Sequence, residues 1–202
     1  MTPSAPQVLL LSGPPGAGKD AVTRALGKHG GSFRLFPRLK AGSGRTAGYR
    51  MISEERLRGL GKDGDLAQLQ ARYGNLYAVD FGRLQAMVDA GYVPVVHVGR
   101  RQNLAELQAV PFDTASVLVW VSREQSERRV ASRAGQARGK AWEEERDELK
   151  ASPLTEDFDA VYDSGAMSAA EIAARIASSW PYLSGSTDFE PVERAIRRSA
   201  RR

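Results

Sequence analysis

Apolar residues occur along this chain as short runs set between amphipathic stretches, and each run predicts a strand followed by a helix. Val8–Leu11 is an uninterrupted apolar run stopped by Gly13-Pro14-Pro15-Gly16, the pattern of a buried strand that ends in a tight loop. Ala21, Val22, Ala25 and Leu26 then recur at near-helical spacing until Gly30-Gly31, so a helix follows the loop. Val93–Val98 and Ser116–Val121 are rich in β-branched residues and poor in charge, as strands covered on both faces require. Ser122 with Gln125, and Ser168 with Glu171, have capping-box spacing, which places a helix after each serine. Apolar runs alternating with helices make βαβ units, so the fold class is α/β, with a parallel sheet flanked by helices.

Two segments break the alternation. Residues 38–48 are rich in Gly, Ser and basic side chains, as in a ligand-binding loop, ordered or mobile. Residues 123–150 are densely charged, with Gly135 and Gly139 between two helical patterns; they read as a helix, a flexible turn and a second helix projecting from the sheet edge. Ser184–Ser186 reads as a linker to a basic tail, so the chain divides into one domain over 1–183 and a tail over 184–202.

Composition narrows the class. A chain of 202 residues fits one core. The absence of cysteine excludes disulfides and thiolate zinc sites. No apolar run approaches the ~18 residues of a membrane span, and the run near the N-terminus is too short for a signal peptide, so a soluble, cytoplasmic protein without a membrane partner is expected. The formal charge of +5 traces to the C-terminus, where Arg194, Arg197, Arg198, Arg201 and Arg202 lie in the last nine residues. Such a cluster reads as a solvated helix end or frayed terminus, and no nucleic-acid partner is expected.

Chemistry concentrates in Gly13-Pro14-Pro15-Gly16-Ala17-Gly18-Lys19, the Gly-x-x-x-x-Gly-Lys part of a phosphate-binding loop in strand-to-helix context. Its glycines let backbone N–H groups converge on phosphate oxygens, the helix N-terminus adds a favourable field, and Lys19 supplies a point charge. The following position, which ordinarily holds a hydroxyl for magnesium, is Asp20, followed by Ala21. Magnesium takes hard oxygen ligands and keeps several waters, so a carboxylate serves in the hydroxyl's place. The strand "YVPVVHVGRR", where an Asp would often carry the second metal contact, has His97 instead. The expectation is that Asp20 seats the metal and that His97 is a core histidine with a backbone partner.

These features resemble the guanylate kinase-like group of P-loop kinases over most of residues 7–180. "GDLAQLQARYGNLYAVD" is similar to that group's acceptor-binding segment, "SREQSERRVASRAG" resembles its arginine-rich lid, and "FDAVYDSG" sits where it has a strand near the adenine. Within the group, Gly-Lys-Asp in the loop and "YVPVVHVGRR" look like ribose 1,5-bisphosphate phosphokinases. The resemblance implies a three-layer P-loop kinase fold with an acceptor-binding region at about 34–82 and a helical lid at about 123–150. It also implies ATP and Mg2+, acceptor-phosphate contacts from Arg38, Tyr49, Arg50 and Tyr77, and lid arginines Arg129, Arg133 and Arg146 on the transferring group. Gln68 falls on the group's guanine-reading glutamate; an amide presents both donor and acceptor, so the guanine-specific contact weakens and the base stays unassigned. The acceptor loop, "FPRLKAGSGRTAGYR", keeps its first arginine as Arg38 but has Ala41 at the second, with Lys40, Arg45 and Arg50 nearby to supply charge.

The expected reaction is transfer of the ATP γ-phosphoryl to a small acceptor that already bears a phosphate, a nucleoside monophosphate or a phosphosugar. Such chemistry rests on alignment and charge neutralisation, with no general base required when the nucleophile is a phosphate oxygen. A non-catalytic binding module is the alternative of another class, and a kinase acting on an alcohol is a third.

Overall fold

The structure is a computed structural model, and the residues it describes are 5–72, 74–130, 135–183 and 188–199. In chain order the elements are β1 (Val8–Ser12), α1 (Lys19–Leu26), β2 (Phe33–Leu35), β3 (Arg38–Ala41), β4 (Tyr49–Met51), α2 (Glu54–Lys62), β5 (Leu66–Arg72), β6 (Asn75–Asp80) and α3 (Phe81–Asp89). They continue with β7 (Val93–Val98), α4 (Arg101–Gln108), β8 (Thr114–Trp120), α5 (Arg123–Val130), α6 (Gly135–Leu149), a 3₁₀ turn at Leu154–Glu156, β9 (Ala160–Asp163), α7 (Ala169–Ser179) and α8 (Phe189–Arg198).

The central sheet has the order β2-β7-β1-β8-β9 with every pairing parallel. All five residues of β1 are buried, because helices flank the sheet and cover both faces; this is why its strands read as unbroken apolar runs. α1 lies against α7, and α4 packs on β1 and β7. The capping box at Ser168 and Glu171 is formed, and Ser122 Oγ accepts from the Gln125 N–H at 3.4 Å. No helix among the described residues is long and apolar enough to cross a membrane.

A second sheet, ordered β4-β3-β6-β5, lies over residues 38–80. It has its own small core of Leu39, Ala41, Leu57 and Ala78, against which Ile52, Leu60, Leu66 and Leu76 pack. Ser53 starts α2 by accepting the Arg56 N–H, and Asp80 starts α3 by accepting the Arg83 N–H at 2.9 Å. Here the structure departs from the reading of 38–48 as a loop: Arg38–Ala41 is a strand with all four residues buried. The charges at 38 and 40 disguise it, because both cationic heads find partners inside the protein.

The lid segment differs as well. α6 does not project from the sheet edge: Ala141 and Trp142 are buried, the Trp142 ring lies 5.4 Å from that of Trp120, and its Nε1 donates to the Val121 carbonyl at 3.1 Å. Truncating a tryptophan so buried costs about 3–5 kcal/mol, so α6 is a structural member of the core. The flexible turn expected at Gly135 and Gly139 is helix instead, since α6 begins at Gly135 and runs through Gly139; Arg133 lies outside the described residues. Within the segment set apart as a basic tail, α8 places Val192 and Ile196 in the main core while Arg194, Arg197 and Arg198 stay exposed. The linker at 184–186 and the last arginines, Arg201 and Arg202, also lie outside the described residues.

Candidate functional site

β1 delivers the chain to the loop at its C-terminal end, between β7 and β8. Gly13 has φ +140°, and a Cβ there would stand 2.1 Å from the Val119 carbonyl oxygen, so only glycine lets the chain pass β8. Gly18 is left-handed at φ 93° and is the N-cap of α1 with no side chain to cap it. The Ala21 and Val22 N–H groups donate to the Gly18 carbonyl at 2.9 and 3.0 Å. Those of Lys19 and Asp20 belong to the first turn of the helix, at the positive end of its dipole. This arrangement fits a phosphate. Lys19 Nζ folds back to the carbonyl oxygens of Gly13 and, at 3.3 Å, Pro14, which keeps the ammonium at the mouth of the loop.

α5 braces the other side. Ser126 Oγ donates to the Pro15 carbonyl at 2.6 Å. Arg129 donates to the Gly16 carbonyl at 3.1 Å and to the Ser164 side chain and carbonyl at 2.9 and 2.8 Å, so it joins the loop to the turn after β9. Arg146 is not brought to the loop. Its guanidinium donates to Asp147 at 2.9 Å and to the Ser199 carbonyl at 3.1 Å, and lies 5.6 Å from the Trp142 ring, at the junction of α6 with α8.

Asp20 Oδ2 accepts from Arg45 at 3.0 Å, and Oδ1 is 3.6 Å from His97 Nδ1. Partial burial works to raise the Asp20 pKa, but the Arg45 hydrogen bond and the charges around it, Lys19 among them, outweigh it and hold the carboxyl below its ordinary value. Among the described residues no group of three or more acidic or histidine side chains could hold a metal ion. The Asp20 carboxylate beside this loop nevertheless suits magnesium, which draws its other ligands from phosphate and water. His97 is pushed down to about 4 by burial, assisted by the Lys19 charge and against the pull of Asp20, so it is neutral at pH 7. Its Nε2 pairs with Thr23 Oγ1 at 2.8 Å. The partner is thus a side chain of α1, where a backbone partner was expected.

In the segment that the resemblance assigns to the acceptor, Arg38 is buried and donates to the His97 carbonyl at 3.2 Å and to Gln68 Oε1 at 2.9 Å. Burial lowers its pKa to about 10, which leaves it charged, and its Nε has no hydrogen-bond partner. Gln68 is 3% exposed and gives its Nε2 to the Asn103 carbonyl at 3.0 Å. Both ends of the amide are therefore engaged inside the protein, where the resemblance had implied a ligand contact. Lys40 donates to the carbonyls of Ser43 and Arg45 at 2.5 and 2.8 Å and lies 5.5 and 5.8 Å from the Tyr49 and Tyr77 rings, which are 5.5 Å from each other. Arg38 lies 5.7 Å from the Tyr77 ring. Arg38, Lys40, Tyr49 and Tyr77 thus share one cationic, aromatic wall. Arg50 stands apart from it, half-exposed and paired with Asp80 at 2.9 Å.

Sequence reasoning missed Arg72 and Glu145. Arg72 Nη1 donates to the Gly99 carbonyl at 3.1 Å, and its Nη2 is 3.9 Å from Glu145 Oε2. Glu145 is 3% exposed and its Oε1 has no hydrogen-bond partner. Burial raises its pKa to about 7 against the charges of Lys19 and Arg72. The signal was present: Ala141, Trp142, Glu145 and Leu149 follow the three- and four-residue spacing of one helix face, so Glu145 shares the buried side of α6.

No family model matches the chain, and no curated protein matches its sequence. Its fold does match solved structures. A guanylate kinase from Anaplasma phagocytophilum superposes with a TM-score of 0.62 at 20% identity, covering 87% of this chain and 85% of that one. More distant are a sugar kinase from Janibacter sp. HTCC2649 (TM-score 0.47, 16% identity, 93% and 98% covered) and a gluconokinase from Sinorhizobium meliloti 1021 (0.45, 17%, 94% and 97%). The five-stranded parallel sheet flanked by helices, with the phosphate loop between its first strand and first helix, is the P-loop kinase fold.

Proposed function

We propose that the protein is an ATP-dependent phosphotransferase that moves the γ-phosphoryl to a small acceptor already bearing a phosphate. The observation that carries this reading is the junction of two anion-binding features through one residue. His97 touches Thr23 and Asp20 on the donor side with its ring, and its carbonyl receives Arg38 of the acceptor side.

The loop N–H groups and Lys19 hold the donor phosphates, with Lys19 exchanging the Gly13 and Pro14 carbonyls for phosphate oxygen. Asp20 would seat Mg2+, which when bound neutralises charge between the phosphates. Arg129, already anchored on the Gly16 carbonyl, fixes the loop against α5. Arg38, whose Nε lacks a partner, and the Lys40–Tyr49–Tyr77 wall receive the acceptor's phosphate. Alignment and cationic screening supply the rate enhancement, because phosphoryl transfer asks little covalent help of the protein.

A nucleoside monophosphate acceptor, as in guanylate kinase, is supported by the matching fold and the paired tyrosines. A phosphosugar acceptor is the second reading, favoured by Gln68: with its amide held by Arg38 and Asn103, it has nothing left to offer a base edge. Transfer from γ-labelled ATP to a panel of nucleoside monophosphates and phosphosugars tests the proposal. Label is expected on a phosphate of one class. An absence of both transfer and magnesium-dependent ATP binding would make the protein a binding module instead.

A further inference from the structure

A buried guanidinium is ordinarily balanced by a carboxylate, yet the groups that hold Arg38 are neutral. Arg38 is 7% exposed, and the ionisable groups acting most on it are Tyr49, Tyr77 and Arg72, with no carboxylate among them. Its Nη1 donates to the His97 carbonyl at 3.2 Å and its Nη2 to Gln68 Oε1 at 2.9 Å. The Gln70 amide lies against the same guanidinium. A guanidinium can only donate, so the Gln70 atom turned to it is the oxygen, 2.8 Å from Nη2 and 3.2 Å from Nη1. Gln68 and Gln70 stand two apart on β5 and share a face of that strand. Asn103 of α4, itself buried, fixes both amides: its carbonyl accepts Gln68 Nε2 at 3.0 Å and its Oδ1 accepts the Gln70 nitrogen at 3.2 Å.

We propose that Gln68, Gln70 and Asn103 are positioning residues: they hold the Arg38 guanidinium through neutral amide oxygens, so that it keeps its full charge for the phosphate of the acceptor. This inference rests on the reading of Arg38, Lys40, Tyr49 and Tyr77 as the acceptor-phosphate wall. The physical reason is the difference between a dipole and a charge. Amide oxygens orient a guanidinium by hydrogen bonds and leave its net charge in place, whereas a carboxylate at the same distance cancels it. Arg38 and Lys40 lie 5.7 and 5.8 Å from the one Tyr77 ring, so an anion arriving there meets two cations, and the Arg38 Nε still has no hydrogen-bond partner. The choice of amides at 68 and 70 gives up the stability of an ion pair and gains affinity for an anion. The polar side chain at 68 thus acts on the acceptor through Arg38, without touching it.

Amide proton–nitrogen NMR spectra recorded during titration with inorganic phosphate read the two anion sites separately, at Arg38, Lys40, Tyr49 and Tyr77 for the wall and at Gly16, Gly18 and Lys19 for the loop. Wild type is expected to bind phosphate at the wall. Gln68→Glu, which sets a carboxylate against the guanidinium, should weaken that binding about tenfold or more and leave the loop affinity within about twofold. Gln68→Leu removes both hydrogen bonds but adds no charge, and should weaken it less. A purely structural role for Gln68 predicts the opposite order, since leucine is the larger change to the network. Gln70→Glu, at a half-buried position, should give the same tenfold loss and decides the question if a variant at 68 does not fold. Wild-type affinity at the wall in a folded Gln68→Glu or Gln70→Glu protein, or a loss in Gln68→Leu as large as in Gln68→Glu, overturns the neutral clamp and leaves the acceptor site standing. A wild-type wall whose amides phosphate does not shift overturns both.

Discussion

The carboxylate of Asp20 and the guanidinium of Arg45 lie 3.0 Å apart and tie the head of α1 to the segment after β3. Lys40 braces that segment by bonding the Ser43 and Arg45 carbonyls. Arg45 thus occupies the carboxylate that magnesium would use, so on the proposed reading the metal and the segment after β3 compete for one side chain. The pair is half-exposed, so its strength is at most about 1 kcal/mol. Arg45→Ala should lower the magnesium concentration needed for nucleotide-analogue binding by about two- to fivefold. Asp20→Ala should raise it, and an unchanged magnesium titration in that variant would remove Asp20 from the metal site.

Gly13→Ala meets the Val119 carbonyl oxygen 2.1 Å from the new methyl. Backbone cannot yield as a flexible side chain does, so the loop must shift away from β8. The expected cost is about 1–3 kcal/mol of stability by urea unfolding, with analogue binding lost. Wild-type stability with intact binding would mean that the loop does not pass β8 as described.

His97 is held neutral, its pKa lowered from 6.5 to about 4. A base whose folded pKa lies below its unfolded value stabilises the protein above the unfolded pKa, and that stability is lost as pH falls from about 6.5 toward 4. Comparing unfolding at pH 7 and pH 4.5, wild type should lose stability on the order of 2–3 kcal/mol through this group, and His97→Gln should lose less. An identical acid dependence in the two proteins would contradict the burial of a neutral imidazole.

Gln68 bridges Arg38 and the Asn103 carbonyl in a buried setting. Gln68→Leu removes both bonds and leaves a buried carbonyl and part of a guanidinium unsatisfied, a loss of about 1–3 kcal/mol by thermal or chemical unfolding. Gln68→Glu should not create a preference for guanine-bearing acceptors in thermal-shift screening, because the side chain faces the protein interior. A guanine-selective shift in that variant would show that Gln68 reaches the ligand.

The central sheet was legible because helices cover both of its faces, so β1, β7 and β8 are mostly apolar and free of Asp, Glu, Lys and Arg, and local serines announced two of the helices. The second sheet was not legible. β3 hides Arg38 and Lys40, and β5 hides Gln68, whose partners lie far along the chain; no local pattern shows that Asn103 will meet Gln68. α8 was obscured in the same way: the exposed arginines dominate its composition, although Val192 and Ile196 stand four residues apart on its buried face. At the candidate site, Gly13–Lys19 and Asp20 stood out because they are consecutive in the chain, as the residues of a phosphate loop are. The wall of Arg38, Tyr49 and Tyr77 came into view through resemblance alone. The resemblance also nominated Arg146, whose guanidinium the fold instead spends on Asp147 and Ser199, since α6 turns that side chain toward α8.

The claim on which the account rests is that the amides at the head of α1 bind a triphosphate. Amide proton–nitrogen NMR spectra recorded while a non-hydrolysable ATP analogue and magnesium are added test it most directly. Large, saturable shifts are predicted at Gly16, Gly18, Lys19 and Asp20, absent from the Lys19→Ala protein, with the exposed face of α8 unmoved. Saturable binding that leaves those four amides unshifted, or no binding at all, would contradict it.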